Sequence, residues 1–143
     1  MTPEEKIESI KSLCDRYGID ILYAFGSRSK EMADFLSGEE ISLASGPSDV
    51  DLGVKIIPGK KLDVKEKAVL SIFFEDLFGV HRADLVVISE VDPFLAAEII
   101  RGERLFARES IRADEFELYI LRRAGDLIPL ERERERLIFK EGI

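Results

Sequence analysis

Residues 19–27 read IDILYAFGS, and this stretch decides how the chain folds. Apart from Asp20, residues 19–25 are β-branched, aromatic or otherwise apolar, which is typical of a buried strand. Gly26 and Ser27 follow directly, and glycine beside a small polar residue marks a turn into the next element. We therefore predict a sheet whose first strand ends in a glycine–serine turn.

Helix and strand signals alternate on both sides of this stretch. The start, TPEE at residues 2–5, carries a hydroxyl cap, an early proline and acidic residues in the first turn, and Gly18 ends that helix. Further along, the patterns predict a loop or loose insertion at 34–48, strands at 49–57, 82–88 and 104–107, and helices at 62–78 and 92–101. A last helix is predicted from an Asp114 cap to about 140, broken or kinked at Pro129.

This order of elements predicts one α+β domain over residues 1–143, with a small mixed sheet flanked by helices. Its core is expected at about 1–107 and its C-terminal helical region at about 114–140. No linker or internal repeat interrupts the pattern.

Composition narrows the class of protein. The chain has 143 residues, 45% of them apolar and 35% charged, and its net charge of −8 argues against a general nucleic-acid binder. Its one cysteine, Cys14, lies on an apolar helix face and is expected in the core. The absence of Asn and Gln is typical of a thermophile. Since no apolar run is long enough for a membrane span, we expect a cytoplasmic protein.

Three aspartates are the candidate metal-binding residues of this sequence. Asp49 and Asp51 stand two apart on a predicted strand, so both side chains point to one face. Asp84 begins the apolar run DLVVI at 84–88, on the next predicted strand. Neighbouring carboxylates repel unless a cation lies between them, and oxygen ligands suit Mg²⁺ when phosphates complete its shell. A third carboxylate allows two ions, and Asp84 is placed to accept a proton.

The turn at Gly26 and Ser27 complements these aspartates. A glycine lets the backbone approach a phosphate closely, and the amides of the next helical turn, with the Ser27 hydroxyl, can bind anionic oxygens. Arg28 and Lys30 are cations that could add charge to a phosphate, but for each of them we expect a side chain facing solvent.

In their order along the chain, these motifs resemble those of a known superfamily. FGSRS at 25–29, SDVDL at 48–52 and ADLVVI at 83–88 are similar to the signature and third-carboxylate strand of the DNA polymerase β-like nucleotidyltransferases. AEIIRGERLF at 97–106 and the C-terminal helix resemble the minimal nucleotidyltransferase (MNT) branch, known as antitoxins to HEPN-domain toxins. The resemblance covers nearly the whole chain.

This resemblance implies a polymerase β-like fold and a specific activity. The enzyme would use ATP and Mg²⁺, with two ions, to transfer AMP to a tyrosine of a partner HEPN toxin. Asp49 and Asp51 would hold both ions, Asp84 would hold one and act as the base, and Gly26, Ser27 and Arg28 would bind the nucleotide. Membrane binding and direct nucleic-acid binding are not expected.

Three features stay outside this assignment. The spacing between Ser27 and Asp49 is longer than in the family, and the extra residues 32–47 form either a lid, a partner contact or an inert loop. His81 is expected at a surface turn. The alternating run ERERER at 131–136 is interpreted as a solvated helix face, with a partner-binding surface as the alternative.

Two other functions remain open. A small-molecule nucleotidyltransferase, for example one acting on an aminoglycoside, would need a second domain or subunit for its acceptor pocket. A module that neutralises its partner by contact alone would not need three intact carboxylates. The sequence does not determine the acceptor, the number of nucleotides transferred, the base preference or the oligomeric state.

Overall fold

A computed structural model describes the backbone of residues 1–39, 43 and 49–141, and the side chains of these residues as far as 138. The helices and strands, in chain order, are α1 (Pro3–Tyr17), β1 (Ile19–Phe25), α2 (Ser29–Leu36), β2 (Val50–Ile56), α3 (Val64–Phe78), β3 (Ala83–Val87), α4 (Pro93–Ile100), β4 (Glu103–Ala107) and α5 (Ser110–Glu141). A short 3₁₀ turn, Ile88–Glu90, joins β3 to α4.

The strands form one mixed sheet in the order β3-β2-β1-β4. β1 pairs antiparallel with both β2 and β4, whereas β2 and β3 run parallel and are joined through α3. A parallel pair needs such a crossover, because a hairpin cannot join two strands that run in the same direction. The small mixed sheet flanked by helices is thus the predicted α+β fold.

Helices cover both faces of this sheet. Along β1, Leu22 and Ala24 pack into the core beneath α1, α2 and α3. Ile21 and Tyr23 alternate with them and face the second core, which α4 and α5 complete. Two buried faces explain why residues 19–25 read as an almost continuous apolar run.

Cys14 lies in the first core, as predicted, and its side chain is fully buried. Burial raises the pKa of its thiol to about 12, because the thiolate would lose its hydration there. The side chain therefore serves as packing, and little thiolate forms at this position.

Capping residues and terminal glycines predicted most helix ends correctly. The Thr2 hydroxyl accepts a hydrogen bond from the amide of Glu5, and the Asp92 carboxylate accepts two at the start of α4. Asp63 and Glu66 form a reciprocal capping box at the start of α3. Gly18 ends α1 in the left-handed conformation that glycine tolerates best.

One prediction about the chain needs correction. The last helix begins at Ser110 rather than at Asp114, which lies inside the helix and whose carboxylate accepts a hydrogen bond from Arg104 on β4. Of the two outcomes predicted at Pro129, a break or a kink, the break does not occur, since the helix continues to Glu141.

The predicted loop at 34–48 is only partly described. Its first residues belong to α2, which ends at Leu36, while residues 40–42 and 44–48 lie outside the described residues. The role of the extra residues 32–47 therefore stays a prediction. Within the described part of the chain, no helix is long and apolar enough to cross a membrane.

Candidate active site

Strand pairing brings the three predicted aspartates to one edge of the sheet. Asp51 lies near the start of β2, opposite Phe25 on β1 and opposite Asp84 on β3. Neighbouring strands are about 4.8 Å apart, so Asp51 and Asp84 are close across the parallel pair. Asp49 immediately precedes β2, two residues from Asp51. One edge of the sheet thus carries three carboxylates from two strands.

Gly26 makes room for the central carboxylate. Its backbone has φ +80°, a conformation that a side chain rarely adopts, and an added Cβ would lie 2.6 Å from Oδ2 of Asp51. A glycine is therefore required at this turn for two reasons, since any side chain would strain the backbone and would push Asp51 aside.

The electrostatic environment of Asp51 disfavours a negative charge. Burial raises the pKa of its carboxyl group, and the negative charges of Asp84 and Asp49 raise it further. Such mutual repulsion is relieved when a cation binds between the carboxylates. The site therefore favours binding of a positively charged group.

In the structure, an arginine supplies that positive charge. Nε of Arg82 lies 3.1 Å from Oδ1 of Asp84 and 3.7 Å from Oδ2 of Asp49, although its side chain is 68% exposed. Sequence reasoning missed Arg82. The available signal was its position two residues before Asp84, which places both side chains on one face of the strand.

As the side chains stand, the carboxylates are not arranged as a closed metal site. No three His, Cys, Asp or Glu side chains among the described residues are grouped closely enough to hold an ion. The chemistry of the donors nevertheless fits a hard divalent cation, because three carboxylates meet where their charges repel and where glycine leaves space. Arg82 must turn away from two of them before such an ion can bind.

The other predicted nucleotide-binding residues lie beside this edge. Gly26 and Ser27 are exposed, and α2 begins two residues after Ser27. The Ser29 amide donates to the carbonyl oxygen of Gly26 at 3.3 Å. The next amides of α2 have no partner within the helix, so they can bind an anion at this turn.

Arg28 does not face solvent, so that prediction is wrong. Its side chain is 4% exposed, and Nη2 donates to the carbonyl oxygen of Leu43 and to Oε2 of Glu31, the latter at 3.2 Å. Arg28 thus links the start of α2 to the backbone of Leu43. His81, by contrast, is exposed at a bend before β3, as predicted.

Similar solved structures exist, although no protein-family model matches the chain and no curated protein sequence does. One is a mutant of the MntA–HepT toxin–antitoxin pair in which two aspartates two positions apart are changed to glutamate, with 16% identity, a TM-score of 0.65, and coverage of 96% of this chain and 98% of that one. Another is a toxin–antitoxin structure with AMP-PNP, at 17% identity, TM-score 0.65 and the same coverage.

A third is a complex of tri-AMPylated Shewanella oneidensis HEPN toxin with MNT antitoxin. It has 16% identity and a TM-score of 0.63, and the match covers 99% of this chain and 100% of that one. These matches, at 16–17% identity, show a shared fold. More narrowly, it is the fold of the minimal nucleotidyltransferase antitoxins, shared over nearly the whole length of both chains.

Proposed function

We propose that this protein is a Mg²⁺-dependent nucleotidyltransferase that transfers AMP from ATP to a tyrosine of a partner HEPN-type toxin. The observation that carries the proposal is the edge of the sheet where Asp49, Asp51 and Asp84 meet beside the Gly26 turn. A protein that acted by contact alone would have no need of carboxylates held in mutual repulsion, since that repulsion costs stability.

The similar structures support the same activity. One contains an ATP analogue, and another contains a toxin that carries AMP groups. In a third, two aspartates at the spacing of Asp49 and Asp51 were chosen for mutation. Each observation concerns that other protein, and together they favour AMP transfer as the reaction to test here.

The chain's own residues would divide the work as follows. Asp49, Asp51 and Asp84 would hold Mg²⁺, which when bound neutralises charge on the phosphates and on the leaving group. Gly26, Ser27 and the first amides of α2 would hold the triphosphate. The acceptor oxygen forms a bond to the α-phosphorus, the bond from that phosphorus to the β-bridging oxygen breaks, and pyrophosphate leaves. Asp84 would accept the proton of the acceptor hydroxyl.

Reaction with the proposed partner tests which molecule accepts AMP. The protein is incubated with ATP, Mg²⁺ and a HEPN-type protein as the proposed partner, and the intact mass of each chain is measured. We expect the partner to gain whole AMP units on a tyrosine, and the gain to disappear in Asp51→Asn, which removes a ligand charge without changing side-chain size.

The other outcomes separate the alternatives. A partner that binds tightly and stays unmodified would contradict the proposal and favour a contact-only module. Modification that persists in Asp51→Asn would show that the site is assigned wrongly. If no partner binds and a small hydroxyl compound gains AMP, the acceptor is a small molecule.

A further inference from the structure

A cavity lies near the end of β2 that is farther from the three aspartates. Asp51, Gly53 and Lys55 alternate along this strand, so they share one face of the sheet. Helix α4 packs on the middle of that face, where a Cβ added to Gly53 would lie 2.4 Å from Cγ2 of Ile99. Lys55 lies beyond this contact, about 13 Å along the strand from Asp51, and lines the cavity. The cavity is therefore separate from the candidate active site.

The walls of this cavity are mostly apolar and partly aromatic. Its volume is about 240 Å³, and β2, the turn after β3, α4 and α5 surround it. Ile88, Ala96 and Ile120 supply buried apolar surface. Phe116 and Tyr119 add two aromatic rings from α5. Small-molecule sites have this character, because an apolar concave wall removes most of a ligand's surface from water. The body of a ligand here is therefore apolar, and the two rings favour an aromatic one.

The charged side chains along the cavity are all positive. Lys55 and Arg123 line it, together with Ser89 and Tyr119, which carry hydroxyl groups. The chain has 29 acidic residues among 143, yet none of the described residues that line the cavity is Asp or Glu. Positive charge in a concave apolar wall attracts anions more strongly than the same charge on an open surface. The cavity is thus positive on a protein whose net charge is −8, and this selects for an anionic ligand.

Contacts within the protein hold Lys55 in position. Its Nζ lies 3.0 Å from Oδ2 of Asp20 and 5.4 Å from the centroid of the Phe116 ring. Asp20 is buried, and Nη2 of Arg112 lies 3.5 Å from the same carboxylate oxygen. Because Asp20 is shared with this second cation, it neutralises Lys55 only in part, and Lys55 keeps positive charge for a ligand. Arg123 is exposed, so its guanidinium can turn toward an anion in the cavity.

We propose that this cavity binds a small aromatic anion, with its ring against Phe116 and its negative group toward Lys55 and Arg123. The volume is smaller than the roughly 300–1,000 Å³ of sites for drug-sized ligands, which limits the ligand to one or two rings. An aromatic carboxylate and an aromatic phosphate ester share this chemistry. The proposal does not depend on nucleotide transfer, since α4 lies between the cavity and the three aspartates.

Titration calorimetry of the full chain tests the class of ligand. The probes are indole-3-carboxylate and 1-naphthyl phosphate, and the neutral control is indole-3-carboxamide. We expect at least one anion to bind at a single site with a dissociation constant of about 10 μM to 1 mM, and the amide to bind at least about tenfold more weakly. The anion that binds more tightly shows whether the site prefers a carboxylate or a phosphate. If neither anion binds, or if the amide binds as tightly as the better anion, the proposal is wrong.

Variants around the cavity test where the anion binds. Arg123→Gln should weaken binding about three- to tenfold, because it removes a charged hydrogen-bond donor. Arg122→Gln is the matched control, since it removes a neighbouring exposed charge that does not line the cavity, and it should change the affinity less than about twofold.

A third variant blocks the cavity. Ser89→Trp places a large side chain in it and should abolish binding. Because Ser89 is exposed, circular dichroism should show an unchanged fold. Equal effects of the two arginine substitutions, or full binding in Ser89→Trp, would overturn the proposal.

Discussion

At the scale of single residues, the site depends on a glycine and an aspartate that fit each other. The role of Gly26 in the turn was predicted from its place after a strand. The structure adds the reason, because the absence of a side chain at Gly26 leaves room for the Asp51 carboxylate. Arg28 and Arg82 could not be assigned in the same way. The burial of Arg28 depends on Leu43, and the ion pairs of Arg82 depend on strand pairing, so neither follows from local pattern.

Replacement of Gly26 separates backbone strain from the loss of the site. Gly26→Ala should lower the free energy of unfolding by about 1–3 kcal/mol and displace Asp51, so that Mn²⁺ and ATP binding are lost. Urea unfolding and calorimetry measure the two effects. Gly59→Ala is a matched control, because Gly59 has φ +83° and no atom within 4 Å of an added Cβ. The Gly59→Ala variant should lose stability but keep ligand binding. A Gly26→Ala protein that still binds Mn²⁺ normally would contradict the assignment of the metal site beside Gly26.

Arg82 is expected to compete with a metal ion for the carboxylates. Exposed ion pairs are worth about 0–1 kcal/mol each, so Arg82→Ala should bind Mn²⁺, without nucleotide, about two- to tenfold more tightly than wild type. Calorimetry measures the affinity. Lys65→Ala removes one exposed positive charge from α3 and serves as the control, with a smaller change expected. Weaker Mn²⁺ binding in Arg82→Ala would show that the arginine supports the ion.

At the scale of elements, caps and hydrophobic periodicity predicted most boundaries to within a few residues. The predicted strand at 82–88 is β3 at Ala83–Val87, and the predicted edge strand at 104–107 is β4 at Glu103–Ala107. Helix α5 was placed less well. Asp114 is a good cap by composition, but its carboxylate pairs with Arg104 on β4, a contact between two elements that a local pattern does not show.

Gly125 offers a test of helix α5 as a continuous element. It lies inside the helix, and nothing described lies within 4 Å of an added Cβ. Gly125→Ala should raise the free energy of unfolding by about 0.5–1 kcal/mol, since alanine loses less backbone freedom in a helix. Chemical denaturation measures the change.

Gly102 provides the contrast for that measurement. There an added Cβ would lie 2.2 Å from the carbonyl oxygen of Ala24, so Gly102→Ala should be destabilising. If Gly125→Ala is destabilising too, something packs against this part of α5 at the protein concentration used.

At the scale of the whole molecule, the sheet order β3-β2-β1-β4 turns three separate motifs into one site. Local patterns predicted the strands and the chemistry of each motif. They did not contain the register that sets Asp51 opposite Asp84, because strand pairing is decided by packing of the whole sheet. The ordered set of motifs supplied this information only through resemblance to a fold in which the pairing is already made.

The central claim is that Asp49, Asp51 and Asp84 promote transfer of a nucleotide rather than of a phosphate. The most direct measurement compares ATP labelled at the α-phosphate with ATP labelled at the γ-phosphate, in Mg²⁺ and with the HEPN-type partner. We expect α-label alone to become attached to protein, and Asp51→Asn to abolish the attachment while the protein stays folded. Attachment of γ-label, or undiminished α-label attachment in Asp51→Asn, would contradict it.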